Sequence, residues 1–240
     1  MSADREMLKQ TNEIGMAIPL LEGIDLNGKD ITMDALLTQR RLARYLVEER
    51  AAHYHMTVKG NQPTLLGDLI ECFTHRGEPE FIDEATLAHG RIETRRIWTT
   101  TALNDYLDFP HVGQAFLIER YVVHKKTGQA SRELAYGLTS RSPAQAKPQR
   151  LLTINRGHWA IESCHYLLDW NYDEDRSRIR TGFGSENMTR LRRFAIGILK
   201  SRAVKNVAQK LRVLNRNIRL VFDYLCMTQN AQRAVFPLRL

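Results

Sequence analysis

An α/β fold built around a partly parallel sheet is predicted by three features of this 240-residue chain. Strand-like patterns at 30–35 and 53–58 flank a helical pattern, and the order strand, helix, strand favours a parallel pair joined by a crossover. Residues 91–138 are then rich in β-branched and aromatic runs, and the last third returns to helical periodicity with a heavy excess of Lys and Arg. A hydrophobic content of 43% is enough for one large core, or for one domain plus a helical extension.

Taken in order, Thr11-Asn12-Glu13 offers a cap for a helix running to about Leu21, in which Pro19 is awkward. Asp30 to Ala35 reads as a short strand that ends in an acid, Asp34. A helix of about 13 residues follows, with Leu36, Leu37, Ala43, Tyr45, Leu46 and Val47 apolar, and then the strand His53 to Val58. After Lys59-Gly60-Asn61-Gln62, Pro63 suits the first turn of a helix to about Phe73. Residues 75–140 read as a β-rich insertion between helical portions, with strands at Arg91 to Thr101, Ala115 to Lys125 and Ser131 to Leu138 and a Lys-Thr-Gly turn joining the last two. The polar, proline-bearing stretch 141–150 is expected to be a linker.

Between Asn155 and Arg180 a helix changes into a string of arginines. Trp159, Ile161, Tyr166, Leu167, Leu168 and Trp170 are placed to bury one side of it, while His158, Glu162 and His165 share another face. Ser185 and Glu186 start a helix to about Lys200, and helical periodicity resumes from about Ala203 to Cys226. No internal repeat or low-complexity tract is present.

Charge is divided unevenly along the chain. Residues 1–175 hold 20 basic and 25 acidic residues, a net of −5, whereas residues 176–240 hold 15 and 2, a net of +13. Residues 176–219 carry thirteen Lys or Arg against the single acid Glu186. Such polarity points to a polyanion, with DNA or RNA first, against the plainer reading of a solvated basic helical surface. No apolar run reaches the roughly 18 residues of a membrane helix and no signal-peptide core is present, so a cytoplasmic location is expected. Cys72, Cys164 and Cys226 lack metal or disulfide spacing and are expected to be buried small hydrophobes.

Asp34 at a strand end and Glu162 on a late helix, with a third carboxylate from an earlier strand, could hold two Mg²⁺ ions about 4 Å apart for attack on a phosphodiester. The plainer readings are an N-cap for Asp34, a surface carboxylate for Glu162, a helix-start loop for Lys59 to Gln62 and a charged β-edge for His89 to Arg95. Lys59 and the backbone N–H groups beside it would also suit a phosphate. Cys164 and His165 are sequence neighbours and diverge by about 100° on a helix, which argues against a nucleophile and base pair.

A set of short motifs recurs in one order: Thr11-Asn12-Glu13-Ile14; Ile31-Thr32-Met33-Asp34-Ala35-Leu36 with Gln39; Val58-Lys59-Gly60-Asn61-Gln62; His89-Gly90-Arg91-Ile92-Glu93-Thr94-Arg95; His158-Trp159-Ala160-Ile161-Glu162; Glu174-Asp175-Arg176-Ser177-Arg178-Ile179-Arg180; and Glu186-Asn187 with Leu191-Arg192-Arg193. From about Thr11 to Lys200 the chain thereby resembles the DDE insertion-sequence transposases, in particular the H-repeat-associated proteins. The resemblance implies an RNase H-like mixed sheet with a β insertion before the last catalytic helix, Asp34 as the second catalytic Asp and Glu162 as the catalytic Glu. It implies that both carboxylates bind Mg²⁺ (or Mn²⁺) for DNA strand cleavage and transfer in transposition. Lys59, Asn61, Arg156, His158, His165, Arg176, Arg178, Arg180, Arg192 and Arg193 are the expected contacts to duplex DNA at insertion-sequence ends. A homodimer and association with the nucleoid are compatible with that role.

The pattern also has departures. The family's first Asp, in an Asp-Gly-Lys type segment, lies some tens of residues before the Asn-Glu-Ile motif, whereas eleven residues precede Asn12 here and Asp4 has no flanking strand. The expectation is an N-terminally truncated transposase whose metal is weakly held and whose cleavage is slight. Residues 1–175 would be the RNase H-like domain, with its insertion at about 75–140, and 176–240 a basic helical DNA-binding extension. The alternative is a non-catalytic DNA-binding protein derived from a transposase, using Arg176 to Arg219 on phosphates.

Overall fold

The computed structural model describes residues 13–88, 90–159, 166–202, 204 and 206–228, and the chain divides into two compact units, Met1–His158 and Trp159–Leu240. In the first unit the elements are α1 (Glu13–Leu21), β1 (Asp30–Met33), α2 (Arg40–Arg44, extended by a π-helical turn Tyr45–Glu49), β2 (His53–Val58), α3 (Pro63–Thr74), β3 (Phe81–Ala88), β4 (Arg91–Thr100), β5 (Gln114–His124), β6 (Ala130–Thr139) and α4 (Pro148–His158). The fold is mixed α/β. All six strands form one mixed sheet in the order β1-β2-β6-β5-β4-β3, with β1 and β2 parallel and every other pair antiparallel.

Alternation sorts the side chains onto two faces. Tyr54, Met56 and Val58 of β2 and Ala115 and Leu117 of β5 pack into the core containing Leu42, Leu46, Leu65 and Leu69 of α2, its π-helical turn and α3. Ile97, Phe116 and Ile118 form a second core under Leu151 and Leu152 of α4. Gly137 of β6 lies where these layers are tightest: a Cβ there would overlap the Phe116 ring and the Met56 carbonyl.

Several expectations are corrected. The strand 30–35 stops at Met33, leaving Asp34 beyond the ladder, and the 13-residue helix is reduced to Arg40–Arg44 with its π-helical turn. The cause is local, because the Asp34 and Thr38 side chains bond to nearby backbone groups in competition with a helix. β3 escaped the sequence patterning; it is an edge strand interrupted by an irregularity between Asp83 and Thr86. The linker is shorter than 141–150, since α4 begins at Pro148, a residue suited to a first helical turn.

The second unit contains a π-helical turn (Leu167–Asn171) and helices α5 (Gly184–Ser201), α6 (Val207–Asn215) and α7 (Ile218–Tyr224). The periodicity from Ala203 to Cys226 is broken in two because Asn206 and Asn217 act as N-caps, their side-chain oxygens accepting from the backbone N–H of Gln209 (2.9 Å) and Leu220 (3.3 Å). A small core joins Leu199, Val207 and Leu214. Of the apolar side expected for 155–180, Leu168 is buried and Ile161 lies outside the described residues. Trp159, Tyr166 and Trp170 are exposed, Trp170 at 65%, because aliphatic residues of α5 to α7 fill the small core instead. Cys226 is likewise exposed and Cys72 half-buried rather than core, and Cys164 lies outside the described residues. Among the described residues no helix is long and apolar enough to cross a membrane.

Candidate active site

Asp34 is the first residue after β1, and it stands exposed at the carboxyl end of that parallel strand. Its Oδ1 accepts from the Leu37 N–H at 3.2 Å, which leaves Oδ2 without a partner among the described residues. The turn that follows is tied down from outside. Thr38 Oγ1 donates to the Thr57 carbonyl at 2.7 Å, Asn61 Nδ2 donates to the Ala35 carbonyl at 2.7 Å, and the Gln62 amide donates to the Thr38 carbonyl. The Asn-Gln pair of the Lys-Gly-Asn-Gln motif therefore supports the Asp34 turn, a role that sequence reading had not found because its partners are backbone carbonyls 24 and 26 residues away. Lys59 stands exposed at the end of β2 beside it.

α4 is anchored along β1. At its start, Asp30 accepts from Arg150 at 2.8 Å and from Arg141 at 2.7 Å. Burial pushes the Asp30 carboxyl up, but the two guanidinium bonds outweigh it and hold the group below the usual range. At its end, His158 Nδ1 lies 3.2 Å from Thr32 Oγ1. Between them His55, the parallel-register partner of Thr32, is buried with its ring stacked on Phe116 at 4.3 Å and neither ring nitrogen bonded. Burial pushes its imidazolium down to about 3, with His158 adding to the shift, so His55 is neutral. His55 was also missed in the sequence; the only signal was its place on the His53, His55, Thr57 face of β2.

The remaining candidates are dispersed. Arg156, in the last turn of α4, is paired with Asp83 of β3 at 2.5 Å. In β4, Glu93 bridges Arg95 (2.6 Å) and Arg120 (2.9 Å), and β4 lies between β5 and β3, so Arg91 to Arg95 is not a sheet edge. His89 lies outside the described residues. In the second unit, Arg176 sits over the Trp170 ring and 3.6 Å from Asp173, Arg178 and Arg180 are exposed, and Arg192 and Arg193 lie on α5, half-buried and exposed respectively. Glu162 and His165 lie outside the described residues. Among the described residues no group of three or more His, Cys, Asp or Glu could hold a metal ion. Among the described candidates, Asp34 fits the chemistry of a hard cation, offering an exposed carboxylate oxygen beyond the one that accepts from Leu37.

A family model described as "Transposase DDE domain" matches residues 4–198. Similar proteins include "Putative transposase YncI" of Escherichia coli O157:H7, 29% identical over 203 residues (80% of this chain, 50% of that protein). "H repeat-associated putative transposase YhhI" of Escherichia coli K12 is 27% identical over 202 residues (80% and 52%). An "Uncharacterized protein in dhlA 3'region" of Xanthobacter autotrophicus is 32% identical over 150 residues (58% and 48%). The chain spans about half the length of the curated relatives it matches. A family match covering most of the chain, over a mixed sheet whose parallel strand delivers an exposed aspartate, leads to one conclusion: this chain belongs to the DDE transposase family.

Proposed function

We propose that this chain is the catalytic-domain part of an insertion-sequence transposase with an RNase H-like sheet, and that Asp34 and Glu162 are two of its metal-binding carboxylates. The carrying observation is the anchoring of α4 on β1. His158 is fixed to Thr32, two residues before Asp34 in the chain, and it opens the His158-Trp159-Ala160-Ile161-Glu162 motif that carries the second carboxylate of the family resemblance. Mg²⁺ or Mn²⁺, when bound, supplies Lewis-acid polarisation of a phosphodiester and a more acidic attacking water. The chain's own groups do the rest. The Asp34 carboxylate is oriented by the Leu37 N–H, its turn is held by Asn61 and Gln62, and His158 would meet a phosphate oxygen near the reacting strand.

Arg176, Arg178, Arg180, Arg192 and Arg193, with Lys59, would hold duplex DNA through its phosphates, and the recognised substrate would be the ends of the element, paired by two copies of the protein. Association with the nucleoid follows from that affinity. Two carboxylates are fewer than a two-metal centre uses, so cleavage by residues 1–240 alone is proposed to be slight. Among the described residues β1 is the terminal strand of the sheet, and its outer edge is where a further strand carrying the third Asp would pair.

The test is strand cleavage of labelled duplex ends with Mg²⁺ or Mn²⁺. Traces of nicking are expected from this chain, restored by a version carrying an added first strand with its Asp and abolished again by Glu162→Gln or Asp34→Asn. Restored cleavage that survives both substitutions would remove these residues from catalysis. DNA binding with no cleavage under any of these conditions would instead favour a non-catalytic DNA-binding protein.

A further inference from the structure

On the α2 and α3 side of the sheet, the Glu119 side chain of β5 is only 3% exposed yet lies between two guanidinium groups. Arg96 of β4 bonds its Oε1 at 2.6 Å and Arg132 of β6 bonds its Oε2. The register explains the arrangement, since Arg96 stands directly opposite Glu119 and Arg132 one diagonal step away, opposite Tyr121. Burial pushes the Glu119 carboxyl up, but the two hydrogen bonds hold it below the usual range, and it stays ionised. A third cation, Arg76, sits 4.8 Å from the centroid of the Trp98 ring and donates to the Phe73 carbonyl at 3.0 Å. Trp98 in turn donates to the Gly77 carbonyl at 2.8 Å.

These groups line one cavity of about 560 Å³, with Glu78 as the second acid. Three guanidiniums against two carboxylates leave the lining with a net positive charge, and the Arg96 and Arg132 side chains remain 40% and 53% exposed. Each guanidinium has five N–H donors, more than Glu119 and one carbonyl can take up. Because Glu119 already fixes Arg96 and Arg132, little ordering cost remains when a second anion arrives, and a guanidinium fork matches phosphate geometry.

We infer that this cavity is a second phosphate site, which takes one phosphodiester of a nucleic-acid strand on the sheet face opposite the one where His158 meets Thr32. A single phosphodiester charge neutralises the lining, and the space holds a phosphate together with its sugar. Trp98 and Leu117 belong to the core under α2 and α3, whereas Thr32 faces α4. The strand bound here is therefore a different segment from one lying at Asp34. The choice of nucleic acid as the phosphate source rests on the DNA-binding reading above.

Two probes test it: anisotropy of a labelled duplex titrated with protein at several salt concentrations, and tryptophan emission during titration with inorganic phosphate. Arg76→Gln breaks no ion pair, and the triple change Arg96→Gln, Glu119→Gln, Arg132→Gln neutralises the cluster without stranding a buried charge. Each is expected to weaken duplex binding about three- to tenfold and to make the salt dependence shallower by about one phosphate. Wild-type affinity and slope in both variants overturn the inference, while loss of binding in Arg192→Gln with Arg193→Gln keeps the DNA-binding reading. If the wild-type chain binds no duplex, that reading fails. A saturable emission change with inorganic phosphate, absent in Arg76→Gln, then still supports a phosphate site, and no change overturns it.

Discussion

The two units spend their charged residues differently. In the sheet unit, cations are matched to acids at short range, as in Arg141 and Arg150 on Asp30, Arg95 and Arg120 on Glu93, and Arg96 and Arg132 on Glu119. In the helical unit the described ion pairs are local, Arg176 with Asp173 and Arg190 with Glu186, and they are exposed. Phe183, Phe194, Leu191 and Ile218 are exposed there as well. The acids that brace the sheet are largely buried between their guanidinium partners, Glu119 at 3% exposure, whereas the exposed local pairs of the helical unit contribute little to stability.

The largest effect expected from this contrast is in packing. Phe116 is fully buried between α4 and the sheet, and Phe116→Ala should cost about 3–5 kcal/mol in urea unfolding. The same measurement on Val213→Ala, on the exposed side of α6, should move the midpoint little. Equal losses at the two positions would break the comparison.

The second effect is pH dependence. The folded pKa of His55 is depressed to about 3 from 6.5, so the stabilisation is present above pH 6.5 and is lost as pH falls toward 3. About 2 kcal/mol should disappear between pH 6.5 and 5, a window above the titration of Asp30 and Glu119. His55→Leu should flatten that slope, and an unchanged slope would assign it to other groups.

Smaller still, Arg192→Gln with Arg193→Gln should weaken duplex binding by about tenfold at low salt while leaving urea stability within about 0.5 kcal/mol, since neither side chain takes part in the described ion pairs of the helical unit. Last, Asn61→Ala should cost about 1 kcal/mol by freeing the Ala35 carbonyl. If Asn61 serves only DNA, binding will fall with no stability change, and its place in the Asp34 turn will be wrong.

Much of the fold was legible because strands and helices here follow simple periods. β2 at His53–Val58 and α3 from Pro63 match the pattern read from the chain, and the β-rich stretch contains β4, β5 and β6. β3 was not legible because an edge strand carrying Asp83 and Glu84 and broken by an irregularity shows no clean alternation. Asp34 could be singled out as an acid at a strand end. What held it could not, because the Asn61 and Gln62 amides act on carbonyls that only folding brings near.

By itself the sequence determined the family, the strand, helix, strand order of residues 30–58, the uneven charge along the chain and the candidacy of Asp34 and Glu162. Those depend on residue type and short spacing, which survive without coordinates. Tertiary structure alone decided that the β-rich segment joins β1 and β2 in one sheet, that His55 is a neutral residue beneath α4, and that Arg76, Arg96 and Arg132 converge around Glu119. Each of these rests on cross-strand register or on burial, quantities set by partners far apart in the sequence, as in the bond across 85 residues from Thr139 Oγ1 to the Tyr54 carbonyl that helps fasten β6 to β2.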